Sequence, residues 1–528
     1  MPAFLQSVPK LWAAKKAHDW SGLQGGALAQ AVSRIHGQTV VVVVPTEKEA
    51  EALVGELRFF RGASSALLLP ADDNRPYDGQ SPHPSRPRQR IQALHALSRG
   101  HSCFLVAPVE ALLLKMPPLA ALEPVASLCV DEEVDPDAIA KRLLEAGYLS
   151  VGRVEDEGSF RLRADRLDVW PTGRSRPVRV EFFDVEVESL REFDPDTQRS
   201  GEVLEGVTFL PADEVVLSEE TLQRAGSVLA EVMDTVPDGP SRRRQVLSEL
   251  RDGLRFSGCE EYLGALLPLA PLPELLGRTS CLVVEPERCE QVVEARAASI
   301  QNRFEAVPVP DRPMIGPSTR FWDAAPLLDF LKKSRCVHPL EMEGSHHFDC
   351  RGNDGLRPAG KELTHVLGRI AAWLEEGWRV GIVVESSLRA ERVDQLLRPH
   401  GFKVQRTEER DPDAWEPGAL QLLRGRLPRG FHAPVAQIAM LSADEVFGRK
   451  HRVRSANRSF SKVAKDAAVK SFSELKEGDL VVHRLHGIGL YIGLHQVDVG
   501  QGPADMLQVE YRGGDRLYLP VHRLGDIA

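Results

Sequence analysis

The longest uniform apolar run, TVVVVVP at residues 39–45, is followed by Ala50, Leu53, Leu57 and Phe60 at helical spacing and then by ALLLP at 66–70. A continuous run, an amphipathic stretch and a second run predict a strand, a helix and a strand of a parallel sheet, buried on both faces. IQALHALSRG (91–100) and CFLVAPVEALLL (103–114) repeat the sequence of helix and buried strand. From about residue 119 to 207 the period drops to two. In FRLRADRLDVWP (160–171), Phe160 and Leu162 alternate with Arg161 and Arg163; in PVRVEFFDVEVESL (177–190), Val178, Val180 and Phe182 fall on one face and Arg179, Glu181 and Phe183 on the other. An outward aromatic beside an arginine has the composition of a binding hot spot. The competing reading is a strand covered on both faces by a neighbouring domain.

Residues 208–345 return to mixed helix and strand. In 346–448 a stripe of Leu363, Val366, Leu367, Ile370 and Leu374, the strand VGIVV (380–384), a helix to Leu397 and IAMLSADEVFG (438–448) predict a small α/β domain. In the last sixty residues, short β-branched and aromatic runs are broken by Gly478, Gly487, Gly489, Gly493 and Gly513-Gly514. That pattern predicts a small, strongly curved sheet, read as a β-barrel, with a bulge or corner at Gly487 to Gly489 and a hairpin turn at Gly513-Gly514.

With 528 residues, 42% of them hydrophobic, the chain holds several cores, in about three to five domains. The 66 basic and 76 acidic residues leave a net charge of −10, which excludes a nucleic-acid-binding surface over the whole molecule. Seven scattered cysteines without a CxxC pair suit reduced thiols. No apolar run approaches the roughly eighteen residues of a membrane span, and the first residues lack a leader pattern. A soluble, cytoplasmic protein without membrane contact is expected.

Candidate chemistry is sparse. A phosphate loop needs a lysine to reach the phosphates and a Ser or Thr to hold magnesium. SGLQGGALAQ (21–30) keeps Gly22, Gly25 and Gly26 and has neither. No catalytic residue, cofactor or ATP hydrolysis is therefore expected, the rival being a nucleotide site built from backbone amides of residues 22–26. DEEV (131–134) reads as a solvated turn and Glu260-Glu261 as a solvated helix end. His346, His347, Asp349 and Cys350 alternate along one strand, and His483 and His486 have no third ligand nearby, so no metal is expected. In residues 449–470 eight Lys or Arg face one Asp; the run either tracks DNA phosphates or is a solvated tether.

GDLVVHRLHGIGLYIGL (478–494) and LQVEYRGGDRLYLPVHRL (507–524) resemble the RNA polymerase-interacting domain of the bacterial transcription-repair coupling factors, a Tudor-like barrel shared with CarD-type regulators. WSGLQGGALAQ (20–30), PADDNRPYDGQSPHPSRPRQRIQAL (70–94) and APVEALLLKMPP (107–118) resemble that family's amino-terminal module. It is similar to the repair protein UvrB but has a degenerate phosphate loop. The strand-rich lines, with REFDPDTQRS (191–200), resemble its UvrA-binding insertion. The resemblance implies UvrA contacts at Arg163, Arg179 and Phe183, and weaker UvrA binding without unfolding for Arg179→Ala or Phe183→Ala. It also implies that an exposed strand, Leu494, His495, Gln496, Val497, Asp498 and Val499, engages the polymerase β subunit, with Val497 as the apolar contact.

The fold class implied is multidomain α/β and α+β. A UvrB-like α/β domain (1–118 and 208–345) carries an inserted module (119–207). A small α/β domain (346–448), a basic linker (449–472) and a barrel (473–528) follow. The family's ATP- and magnesium-dependent DNA translocase would follow the barrel, so this polypeptide reads as an adaptor without ATPase activity. The alternative is a CarD-type polymerase regulator with no role in repair.

Overall fold

The computed structural model describes residues 7–13, 19–100, 102–215, 217–233, 239–251, 256–277, 279–306, 315–343, 345–353, 356, 363–447, 478–483, 487–498, 503–511 and 516–520. They fall in two units, 1–448 and 449–528. The basic run 449–470, Gly513-Gly514 and Val499 lie outside the described residues. Among the described residues no helix is long and apolar enough to cross a membrane.

The first unit is built on the valine run. Val40–Val44 is buried along its whole length and pairs in parallel with Ser280–Val284 on one side and Phe104–Pro108 on the other. Residues this apolar on both faces require a layer of helices above and below. Glu47–Arg61 supplies part of one layer, its start fixed by a capping box between Thr46 and Glu49. It presents Ala50, Leu53, Val54 and Leu57 to the sheet. The second run, Ala66–Leu68, lies one strand further out, beyond Phe104–Pro108. On the other side the sheet continues through Arg335–His338, Trp20–Leu23 and His346–Gly352 to a total of twelve strands.

Residues 346–448, read as a domain of their own, thus contribute strands to the same sheet. The junction is the parallel pairing of Trp20–Leu23 with His346–Gly352. This region keeps a separate core on one face, around Trp373, Trp378, Ile382 and Leu441, while Phe431, Ile438 and Met440 join the core beneath the valine strand.

The alternating region forms a six-stranded sheet in the order Ser200–Val203, Glu186–Phe193, Val178–Phe183, Arg166–Val169, Ser159–Arg163, Leu149–Ser150. Its inner face, with Phe160, Leu167, Val178, Val180 and Leu190, packs on Ile139 and Leu143 of helix Pro136–Glu145. A buried ion network fastens this module to the α/β sheet. Arg90 pairs with Asp72 (2.8 Å) and with Glu214 (2.6 Å), and Asp72 also pairs with Arg320 (2.6 Å).

Glu260 and Glu261 are half-buried rather than fully solvated. Glu261 accepts the Tyr77 backbone N–H and Glu260 accepts the Ser81 hydroxyl, so the pair anchors the polar loop between residues 71 and 84. Tyr77 sits there at φ 62°, a backbone conformation that needs such support.

In the second unit Leu480–His483, Gly487–Asp498, Pro503–Glu510 and Arg516–Pro520 form an antiparallel meander around Val481, Tyr491, Leu507 and Val509. Among the described residues the first and last strands do not pair, so the sheet is open where a closed barrel was expected. The bulge lies between Tyr491 and Gly493 (φ 143°), not at residues 487–489. Gly489 is instead required by packing, since a Cβ there would run into the Val509 side chain.

Candidate functional site

The glycine loop closes against the chain's own backbone. Gly22 (φ 72°) ends up beside the His347 ring, 2.5 Å from where its Cβ would stand, and Gly25 (φ 59°) lies under the Gly430 carbonyl. A Cβ on Gly26 would stand 2.7 Å from the Arg429 carbonyl oxygen. The helix that follows, Ala27–Ser33, has seven residues, all of them buried.

A cavity of about 250 Å³ does lie at the carboxyl ends of the parallel strands, the usual ligand crevice of such sheets. Its charged lining includes Glu49, Glu285 and Glu445 against Arg429 and His338. Glu445 accepts the N–H groups of Gly430 and Ser442. Arg429 is drawn aside to the fully buried Glu56, 3.2 Å away, whose carboxyl is pushed up to about 7 by burial, with Arg429 opposing. Arg288 pairs with both Glu49 (3.0 Å) and Glu285 (2.7 Å).

The stronger site is the outer face of the six-stranded sheet. Residues opposite one another on neighbouring strands project to the same side. The register aligns Arg161, Asp168, Arg179 and Arg191 in one row and Arg163, Arg166, Glu181 and Ser189 in the next. Phe183, opposite Glu186, follows on the same face because a bulge in the partner strand preserves the alternation. Arg163, Arg179 and Phe183 are therefore brought together on one face.

Their environments differ. Phe183 is 73% exposed at the end of its strand, beside a two-residue turn that Asp184 enters at φ 59°. Arg163 is exposed, and among the described residues no carboxylate pairs with it. Arg179, expected on an open surface, is buried. It donates through Nε and Nη2 to Asp168 (2.7 and 3.2 Å), reaches Ser200 Oγ, and lies over the Phe193 ring. The alternation gave its side of the sheet correctly; the cover comes from the strand Ser200–Val203 and its approach, which no periodicity in Val178–Phe183 encodes.

DEEV forms a turn as expected, with Asp131 at φ 67°, and exchanges backbone hydrogen bonds with Val185 and Val187 behind the Phe183 tip. His346 meets Phe348 edge to face, and His347 Nδ1 lies 3.2 Å from Ser21 Oγ. Among the described residues no group of three or more His, Cys, Asp or Glu side chains is arranged to hold a metal.

Two family models match the chain. The UvrB interaction domain covers residues 126–215, the module that carries this face, and the CarD-like/TRCF RID domain covers 475–528. The transcription-repair-coupling factor of Myxococcus xanthus is 33% identical over 99% of the chain, and that of Bacillus subtilis (strain 168) 26% identical over 96%. This chain is a relative of the transcription-repair-coupling factors. It spans less than half the length of the two relatives, 46% and 44% respectively.

In this coupling-factor relative the expected polymerase strand falls on Gly487–Asp498. Leu494 to Asp498 pair with Leu507, Met506, Asp505, Ala504 and Pro503. The strand Leu480–His483 covers only Gly487 to Leu490, so beyond the bulge the other edge has no strand partner among the described residues.

Proposed function

We propose that the chain is an adaptor of transcription-coupled repair, joining RNA polymerase through residues 475–528 to UvrA through the module at 126–215. The observation that carries this reading is one chain holding both matched domains, with the exposed Phe183 and Arg163 on a single face of the first. An aromatic with this exposure, flanked by arginine, is the residue set that dominates binding energy at protein interfaces. The polymerase contact is assigned to its β subunit, by strand addition along residues 494–499. Free backbone groups on that edge supply affinity, and Val497 supplies the apolar contact. In this reading residues 473–528 complete a Tudor-like barrel.

The glycine loop is assigned a packing role, and the chain no ATP hydrolysis. The family resemblance implies a longer protein in which an ATP-driven DNA translocase displaces stalled polymerase. The chain is assigned to the cytoplasm, where polymerase and repair proteins meet.

The test is a titration of the chain against purified UvrA and, separately, RNA polymerase, with Phe183→Ala and a deletion of residues 471–528. The expected result is loss of UvrA binding in the first variant only and of polymerase binding in the second only. Polymerase binding without any UvrA binding would favour a CarD-type regulator instead, and absence of both would refute the adaptor.

A further inference from the structure

The cavity at the carboxyl ends of the parallel strands is built from groups that the adaptor reading leaves without a task. Its walls include Leu28, Val44, Leu53 and Val284, and Glu49, Glu285 and Glu445 stand among them. At about 250 Å³ it falls just below the roughly 300–1,000 Å³ of pockets for drug-sized ligands, so it admits a small molecule.

Glu49, Leu53 and Glu56 follow one another at spacings of four and three residues along Glu47–Arg61 and therefore share one face of that helix. The first two line the cavity, so the Glu56 side chain is directed to the same side. Glu56 is fully buried, and its Oε2 has no hydrogen-bond partner among the described residues. Its Oε1 accepts from Arg429, itself part of the lining. A carboxylate oxygen buried without a donor carries a desolvation penalty that an incoming cationic donor relieves.

The electrostatic balance has the same sign. Arg288 is shared between Glu49 and Glu285, and Arg429 serves Glu56, so with Glu445 four carboxylates face two guanidiniums, a formal charge of −2. His338, also in the lining, has Asp19 at 3.8 Å and Glu287 at 3.5 Å, so its surroundings are acidic as well. Such an excess favours a cationic ligand over a phosphate. A divalent metal fits poorly, because among the described residues no group of three or more His, Cys, Asp or Glu side chains is arranged to hold one. Guanidinium ligands stack on aromatic faces, and the lining has no Phe, Tyr or Trp. A compact ammonium on an aliphatic stem matches apolar walls with carboxylates set between them.

We propose that this cavity binds an aliphatic diammonium, its methylene chain on Leu28, Leu53 and Val284. One ammonium group lies beside Glu56 and Glu445, the other toward Glu49 and Glu285. A lysine side chain of a partner offers the same chemistry with a single charge, and the balance of −2 favours the free diamine.

The experiment is calorimetric titration of the full chain at pH 8, where Glu56 is ionised and alkylammonium groups keep their charge. The probes are 1,4-diaminobutane, Nα-acetyl-lysine amide and inorganic triphosphate. The diamine is expected to saturate one site, the lysine amide to bind about tenfold more weakly, and triphosphate not to bind; tenfold is the scale of one hydrogen bond to a charged group. Glu56→Gln should weaken the diamine about tenfold, and Leu28→Phe should abolish its binding by filling the cavity. Thermal melts check that both variants fold; if Leu28→Phe does not, Glu56→Gln decides. Absence of saturable diamine binding, equal affinity in parent and Glu56→Gln, a lysine amide that binds as tightly as the diamine, or tighter binding of triphosphate would each overturn the proposal. None of these results touches the UvrA and polymerase titrations, so the two readings fail separately.

Discussion

Arg90→Ala should uncouple the inserted module from the α/β sheet. Arg90 is 2% exposed, and both its carboxylate partners are nearly as buried. Burial disfavours the charge on Asp72, but Arg90 and Arg320 outweigh it and hold its carboxyl below the usual carboxylate range. Without Arg90, Asp72 keeps Arg320 at 2.6 Å, whereas Glu214 loses both of its hydrogen bonds and remains buried as an uncompensated charge. Removing one partner of a buried pair costs about 3–5 kcal/mol.

The single change should therefore destabilise the junction by about that much at neutral pH, and adding Glu214→Gln should restore part of the loss, because a neutral amide tolerates the site better. In the parent chain, the contribution of Asp72 is complete above its unfolded pKa and is lost only as the pH falls through its lower folded value. A multidomain chain does not unfold in two states. The assay is accordingly hydrogen exchange in urea, comparing Val178–Phe183 and Glu186–Phe193 with Val40–Val44. Equal protection of Arg90→Ala and parent, or a Glu214→Gln change that adds to the loss instead of relieving it, would refute the reasoning.

Arg179→Ala leaves Asp168 with only Arg166, 3.7 Å away, so it should lower module stability by up to roughly 3 kcal/mol as well as UvrA affinity; thermal melts of the variant, with Asp168→Asn added to relieve the loss, check this. Phe183→Ala, at an exposed position, should leave the melt unchanged and weaken UvrA binding by about thirtyfold, the scale of a hot-spot truncation. Because the folded Glu56 carboxyl is raised from 4.5 to about 7, its contribution is full below pH 4.5 and is lost as the pH rises through about 7. Glu56→Gln should flatten that part of the stability-against-pH profile, measured by urea unfolding of Glu47–Arg61 at a series of pH values. Gly25→Ala combines φ 59° with a Cβ directed at the Gly430 carbonyl and should cost about 1–3 kcal/mol, read as faster exchange where Phe431–Ala433 meets the glycine loop.

The parts of this fold that were legible in the sequence are those set by local periodicity. Five consecutive valines demand burial on both faces wherever they lie, and the spacing of Ala50, Leu53 and Leu57 marks the helix face that packs on them. Alternation likewise assigned Arg179 and Phe183 to one side of their strand, and only the register of the neighbouring strands adds Arg163 to that face. Pairings between residues far apart in sequence were not legible: the junction of Trp20–Leu23 with His346–Gly352, or the reach of Glu260 and Glu261 to residues 77–81.

The same boundary divides the candidate site. Exposure is a property of what else arrives at a face, so the pattern that put Arg179 beside Phe183 had no means of showing that Phe193 and Ser200 would enclose it. The chemistry follows from that enclosure. An arginine already satisfied by Asp168 offers little field to a partner, because the carboxylate beside it cancels its charge beyond a few ångströms. Arg163, exposed and without a carboxylate pair among the described residues, projects its charge outward. Charge recognition on this face should therefore follow Arg163, while Arg179 governs the shape of the surface that presents it.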